Sequence, residues 1–194
     1  MAKGQLPFGQ LPLLQIDKME IVESQACIRY LAKRGKIGGT TPQEEVKADM
    51  LAEACRDLVI IACQAPFQRY KGGEGQSAAL HIEFMREKWA VFGSRFEAVL
   101  HRNGGRYLVG TALTYADILV AHVLTWFVEE CGPEITVPTP LLVNLQNTVI
   151  ELPGVQAFIR SPLYWPKGND AFVTQCYRVL GRNDQIKPDA PVKK

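Results

Sequence analysis

Two short segments near the start of the chain carry residue types that suit peptide binding. Pro12 has no N–H group and, if its peptide bond is cis, makes a tight bend that presents the backbone of Leu11 outward. The N–H and C=O groups of Leu11 then match an extended peptide, which they would bind as an added strand. Ser24, which precedes a helical pattern, offers a hydroxyl, backbone N–H groups and the positive end of a helix dipole to a carboxylate. Taken alone, Pro12 also suits an ordinary turn, and Ser24 an ordinary helix cap.

A strand, a turn, a second strand and a helix must position these groups. Apolar residues within 11–16 and 19–22 predict two short strands, which the turn at Asp17-Lys18 would join as a hairpin. Ser24 is expected to be the N-cap of the helix that follows, and Gly35 is expected to end that helix. Both segments are therefore predicted to lie within one small β-β-α unit.

After residue 40 the sequence predicts helices and loops. Pro42 follows two threonines and precedes two glutamates, a pattern typical of a helix start. Pro66 is expected to kink this long helix or to end it near Phe67, because proline cannot donate the helical hydrogen bond. A second long helix, from about residue 77 to 102, should pack antiparallel to the first.

Thr114 and Asp117 predict the start of a buried helix. They have the spacing of a capping box, with aspartate in place of the usual glutamate. Residues 118–128 are apolar nearly all round, which is typical of a central helix. Further helices are predicted at 139–151, 153–159 and 171–180.

The composition excludes several classes of protein and site. A net charge of +2 gives no signal for nucleic-acid binding, and no apolar run reaches the length that spans a membrane. The N-terminal residues lack the apolar core of a signal peptide. The five cysteines are scattered, and only three histidines accompany them. We therefore expect reduced thiols in a cytoplasmic protein, without a metal site or a disulfide framework.

Three motifs together resemble the cytosolic glutathione transferases, most closely the sigma, mu, pi and alpha group. The motifs are Pro7-Phe-Gly-Gln-Leu-Pro12, Glu23-Ser24 with Ala26-Cys-Ile-Arg-Tyr-Leu31, and Leu113-Thr-Tyr-Ala-Asp117. The resemblance implies a mostly α fold, in which a truncated thioredoxin-like portion, a β-hairpin plus one helix, is followed by an all-α C-terminal domain. The implied units are a partial glutathione-binding domain at 1–38, the all-α domain at 39–182 and a polar tail at 183–194.

The resemblance also implies a set of glutathione-binding residues. They are Lys3, Gln10, Leu11, Pro12, Glu23, Ser24 and Asp57. Glu23 and Ser24 match positions that hold the γ-glutamyl amine and carboxylate, and Lys3 matches a lysine that holds the glycine carboxylate. Asp57 matches an acid that reaches the γ-glutamyl amine bound in the partner subunit. Asp57 could equally belong to a solvated stripe of acidic residues on its helix.

The family's thiol-activating residue is expected to be missing. The fold of these enzymes begins with a β-α-β unit, which takes about 30 or more residues. Its first strand ends with the tyrosine, serine or cysteine that activates the glutathione thiol. The sequence leaves room for only two residues before Lys3. We therefore expect no catalytic residue in this chain, and Tyr107 and Tyr115 are expected to serve in packing.

The resemblance implies a transferase that, in its full-length form, conjugates the glutathione thiol to small electrophiles. Such a protein takes part in detoxification and glutathione metabolism, uses glutathione as its substrate without a metal, and forms homodimers. This chain is expected to keep much of the glutathione-binding edge and to be inactive or weak as an enzyme. The alternative is a non-catalytic truncated relative that acts as a binding or dimerisation module. A third possibility is a chain that borrows the missing strand from a partner.

Overall fold

A β-hairpin and a helix form the N-terminal part of the fold. A computed structural model describes residues 6–9, 11–72, 76–164 and 168–187. Strand β1 (Leu13–Ile16) pairs antiparallel with strand β2 (Met19–Val22), and helix α1 (Ser24–Arg34) follows. Asp17 and Lys18 join the strands with positive φ angles of 51° and 62°, as a two-residue turn of type I′ requires. The predicted hairpin is confirmed.

Side chains of α1 fasten the hairpin to this helix. The hydroxyl of Tyr30 donates a hydrogen bond of 2.6 Å to Asp17, and Arg34 forms an ion pair with the same carboxylate. The buried thiol of Cys27 donates to the carbonyl oxygen of Ile21 at 3.4 Å. A two-stranded hairpin is marginally stable by itself, so these contacts help to hold the strands in place.

Two long helices continue the chain, α2 (Pro42–Gly72) and α3 (Gln76–Arg102). Helix α2 passes through Pro66 and ends only at Gly72, so the predicted end near Phe67 is wrong. Beyond the proline, Phe67 and the buried Tyr70 pack into an apolar cluster with the helix at Asp170–Val179. This packing offsets the helical hydrogen bond that the proline cannot donate.

The remaining helices form the C-terminal part of the fold. They are α4 (Tyr115–Cys131), α5 (Pro140–Ile150), α6 (Pro153–Ile159) and α7 (Asp170–Val179), with short 3-10 turns at Pro133–Thr136 and Asn183–Gln185. At the start of α4, the carboxylate of Asp117 accepts hydrogen bonds from the N–H and the hydroxyl of Thr114 at 2.7 and 2.8 Å. The predicted capping box is confirmed. The predicted positions of α5, α6 and α7 are also confirmed.

Helix α4 lies at the centre of the apolar core. Its side chains Val120, Val123, Leu124 and Phe127 are at most 1% exposed, and it packs against α2, α3 and α5. The ring of Phe127 lies 5.5 Å from the indole of Trp89, which α3 contributes. The prediction of a buried central helix is confirmed. The predicted fold class, a small antiparallel hairpin with one helix followed by an all-helical part, is confirmed as well.

The described end of the chain is held against α2. After the 3-10 turn at Asn183–Gln185, the backbone N–H of Lys187 donates to the hydroxyl oxygen of Tyr70 at 2.6 Å. Residues 183–187 of the predicted polar tail belong to the described part of the chain, and residues 188–194 lie outside it. Among the described helices, none combines the length and the apolar character that crossing a membrane requires.

Candidate functional site

The open end of the hairpin brings together two of the predicted segments. The outermost strand pair is Leu13 opposite Val22. Residues 11–12 directly precede the first of these, and residues 23–24 directly follow the second. Because the strands are antiparallel, both segments lie at the same end of the sheet. Leu11, Pro12, Glu23 and Ser24 therefore form one surface.

The backbone of Leu11 is available for pairing at this surface. The peptide bond between Leu11 and Pro12 is cis, and strand β1 begins only at Leu13. Leu11 is 54% exposed, and no described backbone hydrogen bond outside the regular elements uses its N–H or C=O group. An N–H and a C=O group beside a strand can bind an extended peptide.

Helix α1 begins at this surface, one residue earlier than the sequence suggested. Glu23 is the N-cap and Ser24 is the first helical residue, so the prediction of Ser24 as N-cap is wrong. The chain turns from β2 into α1 at Glu23 itself, whose φ of 70° is uncommon for a residue other than glycine. A side chain in this left-handed region costs about 1–2 kcal/mol, and such strained residues are frequent at functional sites.

The start of α1 presents hydrogen-bond donors to solvent. The first helical hydrogen bond runs from the N–H of Cys27 to the carbonyl oxygen of Glu23, at 3.0 Å. The N–H groups of residues 24–26 thus have no acceptor within the helix. Ser24 is exposed and adds its hydroxyl to these donors. Together with the helix dipole, this arrangement suits an anionic group such as a carboxylate.

An apolar groove of about 520 Å³ begins beside this surface. Its wall includes Leu11, Phe67, Phe172, Cys176, Val179 and Leu180. Phe67 belongs to α2, and its ring meets the ring of Phe172 from α7 edge-to-face at 6.1 Å. Such a groove suits an apolar ligand, and it lies within reach of whatever the backbone of Leu11 binds.

Sequence reasoning missed the contribution of α7 to this groove. It predicted the helix without assigning it a role. A usable signal was present, because Phe172, Cys176 and Val179 recur at spacings of four and three and so share one helical face. An apolar face of this kind can pack into the protein core or line a ligand groove. The spacing alone does not show which of the two it does.

A polar network fixes α1 against the helical part of the fold. The Nε of Arg29 donates to Oδ1 of Asp49 at 2.5 Å, and its guanidinium also bonds Glu53. The hydroxyl of Tyr115 donates to the same Asp49 oxygen at 2.8 Å. These residues come from α1, α2 and α4, so the network sets the orientation of the helix whose first turn forms the candidate site.

The network also shifts the ionisation of its members. Burial disfavours the charged form of Asp49, but the hydrogen bonds from Arg29 and Tyr115 and the charge of Arg29 outweigh it and lower its pKa. Burial, and then the hydrogen bond to Asp49, raises the pKa of Tyr115. Tyr115 is only 6% exposed and stays a neutral donor near pH 7. Its role is packing and positioning, and it does not line the apolar groove.

Asp57 lies apart from the hairpin end, on the exposed side of α2. No described hydrogen bond or ion pair joins it to Leu11, Glu23 or Ser24. Exposed apolar side chains also occur on both long helices. They are Val46, Met50 and Ile60 on α2, and Leu80, Phe84 and Val91 on α3. The other two predicted site residues, Lys3 and Gln10, lie outside the described part of the chain.

The cysteines and acids offer little further chemistry. All five thiols are free, and burial raises the pKa of Cys55 to about 12 and that of Cys131 to about 11. These two thiols stay protonated near neutral pH and are poor nucleophiles. Within the described ranges, no three histidines, cysteines or acids are grouped as a metal site requires.

Comparison with known proteins points to one family. The sequence model described as "Glutathione S-transferase, C-terminal domain" matches residues 63–162. The chain is 31% identical to glutathione S-transferase alpha-4 of Rattus norvegicus over 157 residues, which cover 81% of this chain and 68% of that protein. It is 33% identical to glutathione S-transferase alpha-3 of the same species, with coverages of 81% and 69%.

A solved structure with a similar fold agrees with these matches. It is the crystal structure of a glutathione S-transferase of the hookworm Necator americanus, described as monomeric, with a TM-score of 0.73 and 26% identity. The similarity covers 83% of this chain and 78% of the hookworm protein. The chain spans about two thirds of the length of the curated relatives it matches.

Proposed function

The chain belongs to the glutathione S-transferase family, and we propose that it binds glutathione at the open end of its hairpin. The observation that carries the proposal is the shared position of the exposed Leu11–Pro12 backbone and the free donors at the start of α1. Glutathione is an extended peptide with a free α-carboxylate, so it presents the two groups that these elements can bind.

Each described residue has a defined role in the proposed complex. The N–H and C=O groups of Leu11 pair with the backbone of the cysteinyl unit, as a neighbouring strand would. The hydroxyl and N–H of Ser24 bind the γ-glutamyl carboxylate, and the carboxylate of Glu23 accepts a hydrogen bond from the γ-glutamyl amine. Through the family resemblance we also include Lys3 for the glycine carboxylate, and Gln10.

The apolar groove is the proposed site of the electrophile. Leu11 belongs to its wall, so a cysteinyl unit paired with Leu11 has its sulfur at the edge of the groove. In the proposed reaction the thiolate attacks the electrophile, a carbon–sulfur bond forms and the leaving group departs with its electron pair. Such conjugation belongs to detoxification, and it requires a group that lowers the thiol pKa.

For this chain by itself we propose little or no conjugation. Cys176 is the only ionisable side chain among the described residues that line the groove, and burial raises its pKa. A raised thiol pKa does not help to ionise a second thiol. The transferase activity is therefore proposed for a full-length form. The alternative is a non-catalytic relative that binds glutathione or assembles with a second copy.

A homodimer is part of the proposal. Asp57 is exposed on the same helix as Val46, Met50 and Ile60, and exposed apolar side chains of this kind mark protein interfaces. If this side of α2 pairs with a second copy, Asp57 approaches the γ-glutamyl amine bound in the partner, as the resemblance implies. The hookworm relative is described as monomeric, so the oligomeric state of this chain must be measured by light scattering.

The proposal also includes a division of the chain into domains. These are a partial thioredoxin-like unit at 1–38, an all-α domain at 39–182 and a tail at 183–194. The gap between α1 and α2 at residues 35–41 supports the first boundary. The five free thiols support a location in a reducing compartment, the cytosol.

Calorimetric titration with glutathione tests the function. The native chain should bind, and Ser24→Ala should weaken binding about tenfold because a hydrogen bond to a carboxylate is lost. Ser94→Ala, on an exposed turn of α3, is the matched control and should bind like the native chain. Conjugation of glutathione to an aryl halide is measured on the same samples. Activity equal to that of a full-length relative would contradict the proposed weak activity, and absent binding would contradict the function itself.

A further inference from the structure

A second cavity, of about 410 Å³, lies where the end of the described chain meets α2. Its wall consists of Tyr70, Lys71, Tyr177, Gln185 and Lys187. It does not share a wall residue with the apolar groove, although α7 contributes to both. Nothing in the proposed glutathione site uses these side chains, so the cavity needs a separate explanation.

The wall is rich in hydrogen-bond donors and contains no carboxylate. Lys71 and Lys187 each bring an ammonium group, and Gln185 brings an amide. The hydroxyl oxygen of Tyr70 accepts from the N–H of Lys187, which leaves its own proton available for donation. Lys187 is exposed, and its Nζ lies 4.7 Å above the ring of Tyr70, so the ammonium group packs over this ring at the edge of the cavity.

Tyr177 supplies an independent observation. Its side chain is 2% exposed, and its buried hydroxyl has no hydrogen-bond partner among the described residues. A buried donor without a partner is unfavourable. The hydroxyl oxygen has less than 1 Å² of accessible surface, so an acceptor in the cavity reaches it only when neighbouring side chains shift. Burial, and then the neighbouring Tyr70, raises the pKa of Tyr177, while the positive charge of Arg182 opposes that rise.

We propose that this cavity binds a small tetrahedral dianion of the phosphate or sulfate type. Two ammonium groups from different segments balance its charge, and the hydroxyl and amide donors bind its oxygens. The bound dianion would link Lys71 at the end of α2 to Lys187 beyond α7. It would therefore hold the end of the described chain against the helical domain, independently of glutathione.

Titration of the full chain with inorganic phosphate, by calorimetry and thermal unfolding, tests this inference. We expect phosphate to bind and to raise the melting temperature, while chloride and acetate at equal ionic strength do neither. Lys71→Gln and Lys187→Gln should each weaken phosphate binding about tenfold. Lys47→Gln, an exposed lysine of α2 away from the cavity, removes the same charge and should have no effect.

Tyr177→Phe separates ligand binding from a structural role. Without phosphate, this variant should be at least as stable as the native chain, because it removes a buried hydroxyl without a partner. With phosphate, it should lose part of the rise in melting temperature.

Equal binding by the native chain, Lys71→Gln and Lys187→Gln would mean an adventitious ion only and would overturn the proposal. Equal effects of phosphate and acetate would overturn it as well. Glutathione binding is measured in parallel, and its loss or retention does not bear on this site.

Discussion

The hydroxyl of Tyr115 donates a hydrogen bond of 2.8 Å to the carboxylate of Asp49, which also accepts from Arg29. Three helices meet in this contact: Tyr115 opens α4, Asp49 lies on α2 and Arg29 lies on α1. Helix α1 carries the donors of the proposed glutathione site at its first turn. The position of that first turn relative to the helical domain therefore depends on a polar contact at some distance from it.

Tyr115→Phe tests the strength of this contact. The change removes the hydroxyl and keeps the ring, so the free energy of unfolding should fall by about 0.5–1.5 kcal/mol, the usual value of one hydrogen bond. Urea denaturation measures the effect. Tyr107→Phe is a matched control, since Tyr107 is partly buried on the same loop-to-helix segment and its ring lies under the guanidinium of Arg106. Equal losses in both variants would contradict a specific role for the bond to Asp49.

The lowered pKa of Asp49 predicts a dependence of stability on pH. The folded pKa lies below the unfolded value of about 3.9, so the stabilisation is present above that value and is lost as the pH falls through the folded pKa. Asp49→Asn should therefore be less stable than the native chain at pH 7, and the difference should shrink below about pH 4. Denaturation curves at several pH values measure it. A difference that stays constant down to acid pH would refute this assignment.

The local parts of this fold could be predicted from the sequence, and the long-range parts could not. The hairpin and the capping box of Thr114 and Asp117 depend on neighbouring residues, whose spacing is visible in the sequence. The contact of Arg29 with Asp49 depends on how separate helices meet, which no local pattern encodes. The end of helix α2 is also set by a long-range contact. Packing against α7 lets α2 continue past Pro66, and no local pattern encodes that packing.

The site was predictable to a similar degree. Leu11, Pro12, Glu23 and Ser24 were selected by their order along the chain, and the strand register places them at one end of the hairpin. The assignment of Ser24 as the cap failed because the chain turns at Glu23, with a φ of 70° that its side chain disfavours. The groove wall on α7 was not identified, since an apolar helical face can cover a core as well as a ligand.

Arg69 and Glu130 provide a test of how α7 is held. Arg69 forms an ion pair with the buried Glu130 and also donates to the carbonyl oxygen of Gly168, at 2.6 Å, shortly before α7. Arg69→Met should lower the free energy of unfolding by about 3 kcal/mol, because a buried carboxylate loses its cation. The double variant Arg69→Met with Glu130→Leu should recover most of that loss, since both charges are then absent. Denaturation of the native chain, Arg69→Met, Glu130→Leu and the double variant measures the cycle. A double variant no more stable than Arg69→Met would contradict the ion-pair explanation.

The apolar groove can be tested with a glutathione derivative that carries an alkyl chain on its sulfur. S-hexylglutathione should bind more tightly than glutathione, since the chain buries apolar surface in the groove. Leu180→Ser should remove much of this advantage, about tenfold in affinity, and leave glutathione binding unchanged. Leu163→Ser, an exposed leucine outside the groove wall, is the control. Calorimetry measures the affinities, and equal behaviour of the two variants would show that the hexyl chain binds elsewhere.

The central claim is that glutathione lies on the open end of the hairpin, between Leu11 and the first turn of α1. The most direct measurement is a two-dimensional amide NMR titration of the uniformly ¹⁵N-labelled chain with glutathione. We expect the largest saturable shifts at the amides of Leu11, Glu23 and Ser24, and we expect Ser24→Ala to need about tenfold more glutathione to reach saturation. Saturable shifts confined to other helices, with these three amides unmoved, would contradict it.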